Sequence, residues 1–329
     1  MKILAIESSC DDSSVAIIDD NTTILAHKKI TQNHKKFGGV FPEQASRLHS
    51  QNIPKIVQEC LDLANITIHE IDIISSTLGP GLIGSLLVGT TYAKTLAALT
   101  HKPWIGVDHL EGHILTPCWT NNIDYPFGVL LLSGGHTLLC TANQFGDYTI
   151  YGETYDDAVG EALDKIGREL HMNTSAGPEI EQYAKIAKNP VKFTIPLHKD
   201  NTCNFSLSGL KTNVIRIIKT QKYTTADICA GVQETILKML YERLYNLWQH
   251  INVRTWVLVG GVAANRFFLQ NLQEFANKYS KEFVAPPIEM CTDNAIMIAY
   301  CAQELAKRKI FTDLRAKPYS RCKFPKVTL

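Results

Sequence analysis

Two runs of alternating strand and helix patterns, each opened by short strands around a turn of small residues, constrain this chain most. In the first run, residues 2–7, 14–19 and 24–29 read as short strands. A helical pattern follows over 42–63, with Ile53, Ile56, Val57, Cys60 and Leu61 on one face. A strand at 71–75, a helix at 86–99 and a strand at 104–107 come next. The pattern then restarts. Strands at 127–132 and 137–141 flank the turn Ser133-Gly134-Gly135-His136, with a third strand near 148–151. Helices near 158–170 and 226–247, strands at 256–259 and 283–285, and helices at 265–279 and 293–307 complete the second run. No repeat exists residue by residue, so the duplication is one of elements. It predicts an α/β protein of two similar lobes, covering residues 1–120 and 121–329, with an irregular insertion near 173–225 that carries Pro178, Pro190 and Pro196. Paired lobes of this kind commonly take a ligand between them.

Charge and cysteine usage narrow the setting. Thirty-three Lys and Arg balance 32 Asp and Glu, giving a net charge of +1. Such a chain does not hold nucleic acid by bulk charge. Only local patches such as Lys35-Lys36 and Lys307-Arg308-Lys309 are available. The nine cysteines are odd in number and none are spaced CxxC. They read as reduced thiols in a cytoplasmic protein, most of them small core residues. No apolar run approaches the ~18 residues of a membrane span. The early Glu7 also argues against a secretion signal.

Four segments carry chemistry. Glu7-Ser8-Ser9-Cys10-Asp11-Asp12-Ser13-Ser14 follows the first strand and offers hydroxyls, backbone N–H groups and two carboxylates. That set can hold phosphate and metal, although an ordinary hairpin turn uses the same residues. Leu132-Ser133-Gly134-Gly135-His136-Thr137 occupies the equivalent place in the second half. Its glycines let a backbone approach an anion closely. Two equivalent turns suggest a nucleotide clamp of the actin and sugar-kinase type. In Val259-Gly260-Gly261-Val262-Ala263-Ala264-Asn265-Arg266, Asn265 can cap a helix, face a nucleotide, or both.

In His109-Leu110-Glu111-Gly112-His113 the imidazoles lie one turn apart if the segment is helical, as a metal requires. A zincin needs Glu directly after the first His and an inverted zincin needs it directly before the second. Here Glu111 is two places on and Gly112 precedes His113, so a zincin-type peptidase is disfavoured. A third ligand must come from elsewhere. Asp293, at a helix start in Cys291-Thr292-Asp293-Asn294 and placed in the second lobe, is the best candidate. Gly79-Pro80-Gly81-Leu82-Ile83-Gly84 matches the dinucleotide fingerprint GxGxxG. Pro80 removes an N–H that a pyrophosphate would use, and the unit does not follow the first strand, so this match is discounted. No P-loop occurs.

Taken together, these segments resemble one family, the universal tRNA N6-threonylcarbamoyladenosine synthase subunits, formerly called O-sialoglycoprotein endopeptidases. The resemblance runs from Met1 to at least Tyr300 and includes His34-Lys35-Lys36-Phe37-Gly38-Gly39-Val40, Asp156-Asp157, Asp164-Lys165 and the stretch 205–212. The Ser8-Ser9-Cys10-Asp11 start is similar to bacterial and organellar members. The resemblance implies a two-lobe actin-like ATPase (ASKHA) fold with duplicated ribonuclease H-like lobes. It implies transfer of the threonylcarbamoyl group from threonylcarbamoyl-AMP to N6 of adenosine 37 in tRNAs reading codons that begin with A.

The matching positions imply a divalent metal on His109, His113 and Asp293, with iron the usual assignment and zinc the alternative. They imply that Leu132, Ser133, Gly134, Gly135, His136, Asp164, Gly177, Glu181 and Asn265 hold the acyl-adenylate. Asp11 is the cleft acid and the only candidate for a general base. The implied partners are tRNA, a paralogous non-catalytic subunit and a small ATPase, with no membrane. The apolar face of the 42–63 helix is the candidate partner contact. The chain departs from the pattern at Asp12, where Glu is usual, at Ala176, where a second Gly is usual, and at Phe41 and Gln44. Two alternatives rest on the same fold: an ATP-dependent small-molecule kinase, in which the His pair has no role, and a non-catalytic scaffold, whose known examples lack the His pair.

Overall fold

In the computed structural model, residues 1–173 and 175–327 are described. The strands are β1 (Ile3–Glu7), β2 (Asp12–Ile18), β3 (Ile24–Thr31), β4 (Ile73–Gly79), β5 (Trp104–Asp108), β6 (Phe127–Leu132), β7 (Thr137–Gln144), β8 (Asp147–Glu153), β9 (Thr255–Val259) and β10 (Glu282–Val284). The helices are α1 (Pro42–Ala64), α2 (Ile83–Thr100), α3 (His109–Thr120), α4 (Val159–Glu169), α5 (Gly177–Ala184), α6 (Ser208–Lys219), α7 (Thr225–Trp248), α8 (Arg266–Asn277), α9 (Ile288–Cys291) and α10 (Ala295–Lys307).

The strands form two five-stranded sheets, ordered β3-β2-β1-β4-β5 and β8-β7-β6-β9-β10. Pairing is identical in kind. β1 is antiparallel to β2 and parallel to β4, while β6 is antiparallel to β7 and parallel to β9. The outer pairs repeat the rule, β2–β3 and β7–β8 antiparallel, β4–β5 and β9–β10 parallel. The duplicated lobes expected from the alternation are therefore present as duplicated topology. Every residue of β1 and of β6 is buried, which is what a central strand covered on both faces requires.

The chain does not divide at one point. One compact unit comprises residues 1–119 and 293–323, and the other comprises 120–292 and 324 onward. The sequence reading placed everything after 120 in the second lobe. The difference comes from α10, whose buried Ala295, Met297, Ile298, Ala299 and Ala302 pack it onto β1 and β2 of the first sheet. The stretch 173–225 is also less irregular than its prolines suggest, since it holds α5 and α6. Pro178 sits in the first turn of α5, where a missing N–H costs nothing.

A second correction concerns α1. Ile53, Ile56, Val57, Cys60 and Leu61 are at most 6% exposed and belong to the core of the first unit, with Leu4, Val15, Ile17 and Ala97. The apolar face assigned to a partner is therefore interior. A period of 3.6 shows that one face is apolar, and it does not tell core from interface. No helix among the described residues is long and apolar enough to cross a membrane.

Candidate active site and metal centre

In the first unit, β5 runs directly into α3. Asp108 ends the strand, and its Oδ1 accepts the backbone N–H groups of Leu110 at 2.9 Å and Glu111 at 3.1 Å, satisfying free donors of the first turn. The Tyr319 hydroxyl donates to the other oxygen at 2.6 Å. Helical spacing then puts His109 and His113 on one face, with ring centroids 4.8 Å apart and planes at 85°. The third group comes with α10. Asn294 caps that helix by accepting the Met297 N–H at 3.0 Å, and the Ala295 N–H donates to Ser14 Oγ at 3.0 Å. A Cβ on Gly112 would lie 3.2 Å from Ile298 Cδ1, so glycine is what lets α3 and α10 close on each other. Asp293 Oδ1 consequently lies 3.0 Å from His113 Nε2 and 3.6 Å from His109 Nε2. Asp293 shares a unit with the His pair, where the sequence reading had placed it in the other lobe.

The arrangement fits a metal. Bonds of about 2.1 Å at 90–120° set donors about 3.0–3.6 Å apart, the range of the two imidazole–carboxylate separations. All three ligand atoms lie within 4.8 Å of one another, and both histidines are buried. Two imidazoles and one carboxylate leave coordination positions for substrate, a donor set that suits iron or zinc. The charges agree. Burial pulls the His109 pKa down, but the carboxylates of Glu7 and Asp293 outweigh it and raise it to about 9. Burial pushes Asp293 up, yet His109 and His113 hold it well below the usual carboxylate range. The His109 imidazole and the Asp293 carboxylate thus each favour the charged form of the other.

The turn after β1 is tied down from below. Ser85 Oγ donates to the Cys10 carbonyl at 3.1 Å, and His49 Nε2 donates to the same oxygen at 2.9 Å while Ser13 Oγ lies 2.8 Å from its Nδ1. The Leu82 N–H donates to the Ser9 carbonyl at 2.8 Å. A Cβ on Gly81 would stand 2.5 Å from that carbonyl, and one on Gly79 would strike Tyr319. The GxGxxG glycines are therefore consumed by packing inside the chain. Asp11 is half-buried on this turn. Asp12 pairs with Lys29 at 2.8 Å and accepts from Thr31 Oγ1 at 2.6 Å, while burial pushes its pKa up to about 6 against the pull of Lys29. Lys29 Nζ also donates to the Asp293 carbonyl at 2.8 Å. Sequence reasoning missed Lys29. Its one signal was a cation on the strand paired with β2.

In the second unit the turn after β6 is open. The Ser133 N–H donates to the His136 carbonyl at 2.8 Å, and the His136 N–H to Ser133 Oγ at 3.0 Å. Nothing lies within 4 Å of a Cβ built on Gly134 or Gly135. Two flanking glycines do meet the turn: a Cβ on Gly160 would lie 2.7 Å from the Ser133 carbonyl, and one on Gly260 2.5 Å from the Leu132 carbonyl. Gly160 was not anticipated. It stands one helical turn before Asp164 on α4, and that spacing was the available signal.

Asp164 Oδ1 accepts the Ala176 N–H at 2.8 Å and so brings Gly177 and α5 to the same side. The Ala176 methyl is fully buried against Gly167, so this departure adds bulk to the core rather than to the open surface. On Glu181, Oε1 is buried and lacks a hydrogen-bond donor, with Lys185 Nζ 3.5 Å away. Asn265 is the least available candidate. It caps α8 by accepting the Phe268 N–H at 3.2 Å, and its amide donates to Gln233 at 2.8 Å.

Comparison with known proteins gives the family and the fold. A family model described as tRNA N6-adenosine threonylcarbamoyltransferase matches residues 23–300. A tRNA N6-adenosine threonylcarbamoyltransferase of Rickettsia conorii is 42% identical, covering 98% of this chain and 97% of its own. One from Thermosipho africanus is also 42% identical, over 95% and 97%. Among solved structures, component A of the (R)-2-hydroxyglutaryl-CoA dehydratase of Acidaminococcus fermentans superposes with a TM-score of 0.57 at 14% identity. It covers 93% of this chain and 98% of its own. That likeness concerns the fold, the two-lobe actin-like ATPase class expected from the sequence.

Proposed function

Because the chain belongs to the tRNA N6-adenosine threonylcarbamoyltransferase family and so transfers a threonylcarbamoyl group to N6 of an adenosine in tRNA, we propose that its two turns divide the work of that transfer. The donor in this reading is threonylcarbamoyl-AMP and the acceptor is adenosine 37. The observation that carries it is the convergence of His109, His113 and Asp293 within 4.8 Å. A kinase would leave that triad without a task.

In the second unit, the backbone N–H groups of Gly134 and Gly135 are proposed to meet the adenylate phosphate, with Leu132, Ser133 and His136 framing the turn. Asp164 holds Gly177 in place, and the buried Glu181 oxygen takes a ribose hydroxyl, gaining the donor it lacks. Asn265 contributes by fixing the α8 end of the surface. In the first unit, His109, His113 and Asp293 would hold the metal, iron in this reading, which supplies Lewis-acid polarisation of a substrate oxygen. N6 attacks the carbamoyl carbon, a C–N bond forms, the bond to the phosphate oxygen breaks, and AMP leaves with the bonding pair. The proton released from N6 goes to Asp11, the half-buried carboxylate of the first turn. The remaining work is orientation.

The chain's even charge gives it little pull on tRNA phosphates. We therefore infer that a partner completes the tRNA-binding surface; the family resemblance implies that this partner is a paralogous subunit, working with a small ATPase in the cytoplasm. The test is mass analysis of nucleosides from tRNA incubated with threonine, bicarbonate, ATP and the other pathway proteins. N6-threonylcarbamoyladenosine should form only when this chain is added. Absence of product from a folded, metal-loaded chain would overturn the reading, and full turnover by the chain alone would overturn the partner requirement.

A further inference from the structure

A buried carboxylate stands behind one of the two imidazoles, and no step above uses it. Glu7 is the last residue of β1 and is wholly buried. Its Oε1 accepts the backbone N–H of Ser9, and its Oε2 accepts the Thr77 hydroxyl and lies 3.1 Å from His109 Nδ1. The partners come from neighbouring places. β1 and β4 run parallel with Ile6 beside Ser76, which sets Glu7 next to Thr77, and β5 delivers His109 one residue beyond its end. Three side chains at the carboxyl ends of three adjacent parallel strands thus meet in the interior. Among the described residues, His113 has no carboxylate in the corresponding place.

We propose that Glu7 is a positioning residue that takes the Nδ1–H of His109 and thereby presents Nε2, with its lone pair, towards His113 and Asp293. A neutral imidazole carries one proton, and the nitrogen left bare is the one able to bind a metal. With His109 donating, the three bonds call for an ionised acid, because both oxygens then act only as acceptors. A glutamine cannot meet the same demand. The Ser9 N–H only donates and claims the amide oxygen. The NH₂ group then faces Thr77 and His109, and His109 answers by accepting at Nδ1 and moving its proton to Nε2. Residues behind metal-bound histidines typically change metal affinity by about 10–100-fold. The inference rests on the metal reading for its consequence, but the tautomer itself does not.

Two measurements on the full chain separate these. The first is nitrogen NMR of the histidine side chains in metal-free protein, raised to a pH at which His109 is neutral. His109 should carry its proton on Nδ1, and Glu7→Gln should move it to Nε2. A proton on Nε2 in the unaltered protein overturns the proposal and requires no variant to fold. The second is calorimetric titration with Zn²⁺. Glu7→Gln should bind about 10–100-fold more weakly, whereas Thr77→Val, which keeps the carboxylate, should bind within about threefold of the parent. Equal Zn²⁺ affinity in a folded Glu7→Gln also overturns it. If the unaltered chain does not bind Zn²⁺ at all, the metal reading fails, and the tautomer still decides the role of Glu7.

Discussion

The turn after β1 and the turn after β6 occupy the same place in two sheets of the same topology, yet they are built to opposite ends. The first is held from beneath by Ser85, His49 and Leu82, with Gly81 packed against it. The second presents two glycines whose missing side chains would meet nothing. One sheet end is spent on fixing side chains, three of which suit a metal. The other leaves backbone free for a ligand. Duplication of a fold therefore supplied two equivalent positions, and the local residues gave them different tasks.

The largest effect should come from the fixed end. His109→Ala or Asp293→Asn should lose bound metal and at least about a hundredfold in transfer, more than the 10–100-fold typical of a supporting residue. Metal analysis and the nucleoside assay read this, and near-parental transfer without metal would break the comparison. Next comes a pair of glycine substitutions with opposite signatures. Gly81→Ala forces a methyl to within 2.5 Å of the Ser9 carbonyl and should cost about 1–3 kcal/mol in a denaturant titration. At Gly134 an added Cβ has no atom within 4 Å, so Gly134→Val should change stability by about 0.5 kcal/mol or less. It should nevertheless weaken an acyl-adenylate analogue tenfold or more.

These expectations show how far the sequence could be read. The strand and helix alternation carried the duplicated sheets because period-two and period-3.6 patterns are local. The His pair was legible because helical spacing is fixed. What failed was what depends on long-range packing. Asp293 returns to the first unit through contacts of α10 that no window of sequence contains, and the α1 face is core because β2 and β3 lie under it. Lys29, Gly160 and Gln233 act on residues distant in sequence, so their roles appear only once the chain is folded.

Smaller effects sharpen the open end. Glu181→Gln removes a charged acceptor and should weaken the adenylate analogue by about tenfold, as charge-assisted hydrogen bonds of about 1.5–3 kcal/mol imply. An unchanged affinity would remove Glu181 from the surface. The smallest effect concerns Asp156. Burial would raise its pKa, but the Leu207 N–H and the hydroxyls of Ser206 and Ser208 hold it below the ordinary value. Its contribution is complete above about pH 4, the unfolded value. It is lost as the pH falls through the lower folded value. Asp156→Asn should flatten that acid limb in thermal unfolding measured between pH 5 and pH 2, and an identical limb would contradict the tie.

The division of labour itself is tested by a crossed binding measurement, with Zn²⁺ and an acyl-adenylate analogue each titrated into Gly134→Val and His113→Ala. The account requires Gly134→Val to keep the ion and lose the adenylate. It requires His113→Ala to lose the ion and hold the adenylate within about threefold of the parent. A folded Gly134→Val that binds the adenylate at parental strength, or a folded His113→Ala that retains the ion, would contradict it.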